Sequence, residues 1–257
     1  MPINAEEIIQ WIMREDSAAY AAAREAGETF PKVVERALPN LSPSSREMAA
    51  HALATNNTPD ASRVLLGMTA DQEPQVAASA ARSLSAITKP PAAAELLAAA
   101  PRRQEPVVRG LLYRLVGHVG KPQDLQRLRA VLASEKDEEA GEDGQAAAVR
   151  LDGAPEKTAF LNRIRTATPD TAQRVCDQLR YVEQKPPIKA LLPWLSNRQE
   201  VMRLGSDRAP RMARMCDLAV WTAHQMGIVF QPKPAFLDIY PQTTLDNARD
   251  ALQSLPD

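Results

Sequence analysis

Residues 43–74 read PSSREMAAHALATNNTPDASRVLLGMTADQEP, with a proline at each end and a third, Pro59, near the middle. Further prolines stand at 90, 106 and 122, so the gaps counted from Pro43 run 16, 15, 16, 16 and 16. Proline suits the first turn of a helix, where its missing N–H is not needed and its φ is already helical. The beat predicts helix, short loop, helix, with each proline opening a new helix. Two beats make a hairpin of about 31 residues, which is a solenoid period. The expected fold is therefore all-α: a right-handed α-solenoid of roughly five to six stacked helical hairpins.

The side chains keep the same time. Ser45, Ala49, Ala50 and Leu53 stand 31 positions before Val76, Ala80, Ala81 and Leu84, and these stand 31 before Val107, Leu111, Leu112 and Leu115. Within each set the spacing i, i+4, i+5, i+8 is one face of a helix. Small residues in the middle let the next hairpin approach, and leucine closes the layer. The alternate helices repeat Leu65-Leu66, Leu96-Leu97 and Leu128.

Ala147, Ala148 and Leu151 rejoin the column if about five residues are inserted ahead of them, and the acidic, glycine-containing stretch 134–144 reads as that insertion, a solvated loop. Its oxygen-bearing residues lack the ligand spacing of a calcium loop. Val175, Cys176 and Leu179 continue the column, then Met215, Cys216 and Ala219, with a polar loop or extended helix start around Arg203–Asp207. The expected organisation is one domain over 1–257. Residues 1–41 form an N-terminal helical cap, 42–226 the repeats, and 227–257 a C-terminal cap that covers the open apolar end.

Composition narrows the function classes. Hydrophobic content of 44% with only 4% aromatic fits helices packed through Ala, Leu and Val. A net charge of −1 argues against a nucleic-acid backbone as partner, since such proteins carry a basic excess. No apolar run is long enough to span a membrane, and the acidic start Met1–Glu7 is unlike a signal peptide, so the expectation is a cytoplasmic protein. Cys176 and Cys216 fill the same repeat slot and are expected to be buried and reduced. His51, His118 and His224 are scattered, and no metal site or cofactor is expected. The ten glycines form neither a dinucleotide fingerprint nor a phosphate loop, and no nucleophile–base pair stands out.

The repeats, best seen in Asp71–Ile87, DQEPQVAASAARSLSAI, resemble HEAT-like repeats of the phycobilisome-lyase type, in which a V-x3-A-A-x2-L helix recurs about every 30 residues. The resemblance covers roughly residues 42–226 and is that of a divergent member. Ala77 and Val108 stand where the family often has Arg after Val. It implies that the V-x3-A-A-x2-L helices line a concave face. One position after the double-alanine slot stand His51, Arg82 and Tyr113, and Arg109 shares a helix face with Tyr113. Exposed Tyr and Arg are typical interface anchors. His51, Arg82, Arg109 and Tyr113 are therefore the expected contacts for a protein partner. Arg208, Arg211 and Arg214, spaced by three, are expected on one side of a helix as a second patch for an anionic partner.

The expected function is a non-catalytic protein-binding module: scaffold, adaptor or toxin-neutralising immunity protein. Two enzyme alternatives follow from the resemblance alone, a bilin lyase and an alkylpurine DNA glycosylase. The second requires a basic groove that the near-neutral charge does not favour.

Overall fold

The computed structural model describes residues 4–183, 188–205 and 211–255, and the chain divides into two compact units, 1–147 and 148–257. In the first unit, α1 (Ala5–Met13), α2 (Ala18–Glu25) and α3 (Thr29–Ala37) precede a run of hairpins. The hairpin helices are α4 (Pro43–Asn56), α5 (Pro59–Met68), α6 (Pro74–Ser85), α7 (Ala93–Ala99), α8 (Pro106–Val119) and α9 (Leu125–Leu132). Helix α10 (Glu138–Arg150) follows. Helices α2, α4, α6 and α8 lie side by side as one layer, while α3 packs on α5 and α7 on α9 in the other. This is an α-solenoid arrangement.

Four of the six prolines act as their spacing predicts, whereas Pro90 lies three residues ahead of α7 and Pro122 opens a 3₁₀ turn before α9. Pro43, Pro59, Pro74 and Pro106 each open a helix, preceded by Ser42, Thr58, Glu73 and Glu105 in extended conformation. The Ser42 hydroxyl accepts from the Ser45 amide at 3.1 Å and that of Thr58 from Ala61 at 3.2 Å, satisfying amides a helix start leaves open. At the other end of α4, Asn57 is left-handed (φ 56°), and its side chain accepts from Thr88 N at 2.8 Å, 31 residues on. One residue thus ends a helix and ties it to the next hairpin.

The column, however, does not advance by a constant 31. Layer helices open at Pro43, Pro74, Pro106 and Glu138, in steps of 31, 32 and 32. The third set is therefore Val108, Leu112, Tyr113 and Val116, all buried, whereas Val107 is 54% exposed. The extra residue falls in the connection ahead of α8, where a change of length leaves the helix face unturned.

The stretch 134–144 corrects the loop reading in the same way. It is a short turn followed by the first two turns of α10, and no insertion is needed. Asp137 Oδ1 accepts from Ala140 N at 2.9 Å, and Glu138 and Glu139 sit in the first turn, where the helix dipole favours acids. Gly144 answers to packing rather than flexibility: a Cβ there would lie 2.2 Å from a Leu132 methyl.

The second unit contains α11 (Ala154–Thr166), α12 (Pro169–Val182), a 3₁₀ helix (Lys189–Ser196), β1 (Glu200–Leu204), β2 (Arg211–Arg214), α13 (Met215–Gln225) and α14 (Gln242–Gln253). Its core holds Val175, Cys176, Leu179, Met215, Cys216 and Ala219, the two echoing column sets, all buried. Both cysteines are free thiols. Trp194, in the 3₁₀ helix, donates its indole N–H to Ile164 O at 2.7 Å and so pins that helix to α11.

The small antiparallel hairpin was not legible as such: Glu200 pairs with Arg214 and Leu204 with Arg211. Arg203 and Leu204, read as part of a polar loop or helix start, close its first strand, and Gly205 just beyond is in the left-handed region (φ 82°), while Ser206 and Asp207 lie outside the described residues.

Candidate functional site

With helix starts aligned, each row of the first unit has a clear identity. The residue after the first core position is Arg46 in α4, Ala77 in α6 and Arg109 in α8. Three residues before the next layer helix stand Asp71, Arg103 and Glu135. Arg46 grips Asp71 with Nε and Nη2 at 2.7 and 3.0 Å, and Arg109 grips Glu135 the same way at 2.8 and 2.9 Å. Bidentate pairing of this kind combines charge with fixed geometry. Each arginine also binds the turn ahead of its own helix: Arg46 Nη1 donates to Leu41 O, and Arg109 Nη1 to Arg103 O and Gln104 O.

The middle joint is built differently. Ala77 leaves the arginine row empty, and Arg103 occupies the acid row. Arg103 turns to neutral acceptors, Thr69 Oγ1 at 2.7 Å and Leu66 O at 3.2 Å, and so caps the end of α5. Burial, aided by the neighbouring Arg102 charge, lowers its pKa.

Tyr113 belongs to the third joint, and the expectation of an exposed anchor does not hold. It fills the slot of Ala50 and Ala81, is 1% exposed, and donates its hydroxyl to Glu135 Oε2 at 2.9 Å. Glu135 also accepts from the amides of Lys136 and Asp137 at 3.0 Å each. Burial by itself would raise its carboxyl, but the hydrogen bonds from Arg109, from the Asp137 amide and from Tyr113 outweigh it, and hold the pKa down to about 2. The Tyr113 hydroxyl is pushed well above its ordinary value, first by burial and then by its bond to Glu135. Arg109 and Tyr113 are thus brought together, but facing inward.

His51 and Arg82 remain on the exposed face. The His51 ring lies between two serines of α6, with Ser79 Oγ 3.2 Å from Nε2 and Ser83 Oγ 3.4 Å from Nδ1. Tyr20 of α2 meets that ring edge-on, centroids 6.4 Å apart. Arg82 stands three residues after Ser79 and eight after Pro74, as His51 stands eight after Pro43, so the two predicted residues share one surface. The residue of α8 that continues the line is Arg114, one position after Tyr113. On α6, Ala78, Ser79 and Ser83 are buried, and Arg82 is the side chain that stretch brings to the surface.

The anionic-partner patch has a different form from the one expected. Arg208 lies outside the described residues. Arg211 and Arg214 sit on β2, where residues three apart point to opposite faces. Arg211 pairs with Asp238 at 2.8 Å. Arg214 holds Asp217, a fully buried carboxylate that also accepts from the amides of Arg214 and Tyr240. Both charges serve the structure of the second unit.

The sequence reading missed Tyr20, Arg46, Asp71, Arg103, Arg114 and Glu135. The 32-residue step from Pro74 to Pro106 moves every row of α8 by one and so finds Arg114, whereas Tyr20, Arg46 and Asp71 precede it. Among the described residues, no group of three or more His, Cys, Asp or Glu is placed to hold a metal ion, and no helix is long and apolar enough to cross a membrane.

Residues 30–115 match the family model of HEAT repeats. Comparison with curated proteins and with solved structures gave no match.

Proposed function

We propose that the chain is a non-catalytic protein-binding module, a scaffold, adaptor or toxin-neutralising protein, and that the exposed face of α2, α4 and α6 seats its partner. The HEAT-repeat match over residues 30–115 supports a protein-binding role, since such repeats commonly present a surface to another protein. The carrying observation is the line of Tyr20, His51 and Arg82, contributed by three neighbouring helices, with His51 seated against Tyr20 and the buried Ser79 and Ser83. Tyrosine and arginine are among the side chains that interface hot spots favour. This reading keeps His51 and Arg82 from the sequence expectation and replaces Tyr113 by Arg114.

The test begins with a partner identified by cross-linking and mass spectrometry on the intact chain. Arg82→Glu and His51→Ala are then compared with Tyr113→Phe, a change on the inward side. At an interface centre Arg82→Glu weakens binding by about 2 kcal/mol or more, while Tyr113→Phe leaves affinity unchanged. Wild-type affinity for both Arg82→Glu and His51→Ala would remove this face from consideration.

A further inference from the structure

The second unit carries a feature that the protein-binding reading does not use. Between α11 and the 3₁₀ helix runs an open groove of about 550 Å³, lined by Lys157, Leu161 and Arg165 on one side and by Lys189, Ala190, Leu192 and Pro193 on the other. That volume falls in the range of ligand-binding clefts. The wall is fixed, because the Trp194 indole bonds to Ile164 O and holds the 3₁₀ helix against α11. The floor is apolar: Leu161 and Leu192 are only partly covered, and Pro193 is exposed. Every charged residue among the described lining residues is a cation. Lys189 is already engaged, donating to Leu255 O at 3.0 Å. Lys157 and Arg165 stand on the rim, and neither side chain makes a hydrogen bond or ion pair among the described residues.

The spacing of these groups selects the occupant. Lys157, Leu161 and Arg165 lie four residues apart on one stripe of α11, so the backbone positions of the two cations stand about 6 Å on each side of the leucine along the helix axis, about 12 Å from each other. One anionic head, as on a fatty acid or a phospholipid, offers a single charge to two cations carried two helical turns apart. A helical segment whose Asp or Glu residues flank an apolar side chain at three- or four-residue spacing meets both, while the apolar side chain covers Leu161 and Leu192. We infer that this groove docks an acidic amphipathic helix from a protein partner. The site is separate from the face of the first unit and stands or falls without it.

The experiment pans a phage-displayed library of helical peptides against the intact chain. Recovered sequences are synthesised with a fluorescein label and titrated by anisotropy. Enrichment of Asp or Glu flanking Leu, Phe or Met at three- or four-residue spacing is expected. Lys157→Glu and Arg165→Glu should each weaken such a peptide at least about tenfold, and raised salt should weaken it for the wild type. The milder Lys157→Met and Arg165→Gln show smaller losses in the same order, and circular dichroism confirms that the variants fold. Arg82→Glu leaves peptide binding unchanged, which separates this groove from the first-unit face. Vesicles containing about one third phosphatidylserine should not co-sediment the protein. The inference is overturned by peptides without acidic enrichment, by equal affinity for the Lys157→Glu/Arg165→Glu double variant, by recovery of no peptide, or by vesicle binding that the double variant abolishes.

Discussion

The hydroxyl of Tyr113 lies 2.9 Å from Oε2 of Glu135, inside the joint between the third hairpin and α10. A ring that substitutes for alanine in the repeat thereby gains both burial and a charged acceptor. Tyr113→Phe should cost about 1.5–3 kcal/mol, the range for a hydrogen bond to a charged group. Tyr113→Ala should cost about 3–5 kcal/mol, because it also leaves a cavity. Urea unfolding measures both, and a Tyr113→Ala variant within about 1 kcal/mol of wild type would return this side chain to the surface.

Glu135 makes acid stability a second test. Its folded pKa of about 2 lies below the ordinary 4.5, so the stabilisation is present above about pH 4.5 and is lost as pH falls towards 2. A depression of that size corresponds to roughly 3 kcal/mol at neutral pH. Glu135→Gln should be destabilised by about 3–5 kcal/mol at pH 7, since Arg109 is left without its counter-charge. The difference from wild type should shrink between pH 4.5 and 2. A gap that stays constant over that window assigns the stabilisation to something other than ionised Glu135.

The inverted middle joint predicts a coupling. Ala77→Arg alone places a second guanidinium beside Arg103, and Arg103→Asp alone forfeits the bonds to Thr69 and Leu66. Together they recreate the Arg46–Asp71 arrangement. The double variant should be more stable than the sum of the singles by about 0.5–3 kcal/mol in a double-mutant cycle. Simple additivity would show that the two rows do not face each other at this joint.

In the second unit, Asp217 is the residue least tolerant of neutralisation. It is fully buried and accepts from the Arg214 guanidinium at 2.7 and 2.8 Å and from two amides. Asp217→Asn should cost about 3–5 kcal/mol by leaving Arg214 uncompensated. Thermal melts resolve a change of that size, and a melting temperature within a few degrees of wild type would contradict the assignment.

Both cysteines should be inert until the chain opens. Cys176 is pushed up to about 12 by burial, and Cys216 is enclosed, its sulfur accepting from Arg198 Nη1 at 3.1 Å. Ellman's reagent at pH 8 should label neither thiol in the native protein and both in urea. Rapid native labelling of either would place it at the surface.

The fold was legible because proline and the alternation of alanine with leucine act locally: Pro43, Pro59, Pro74 and Pro106 each open a helix, and the small residues of the column mark close approaches. The buried echo of Cys176 and Cys216 was legible for the same reason. The site was only half legible. His51 and Arg82 precede the 32-residue step, so counting by 31 finds them; Arg109 and Tyr113 follow it, so the same count turns them outward. Glu135 and α10 escaped because the acidic stretch has neither an opening proline nor an apolar period. Its helical character depends on the Asp137 cap and on contacts such as Gly144 with Leu132. Arg211 and Arg214 escaped because a step of three suggests a helix, whereas the cross-strand pairing that fixes them is not local.

The change of step between Pro74 and Pro106 also bears on how such a gene drifts. A codon gained in a connector is silent for the layer, because the next helix starts one residue later with its faces unchanged. A codon gained inside α8 would rotate everything beyond it by about 100°, taking Val116 out of the core it now shares with Leu53 and Leu84. Length variation among descendants of this chain should therefore accumulate ahead of the opening residues and spare the helices themselves. Surface side chains on successive hairpins are then free to diverge one repeat at a time.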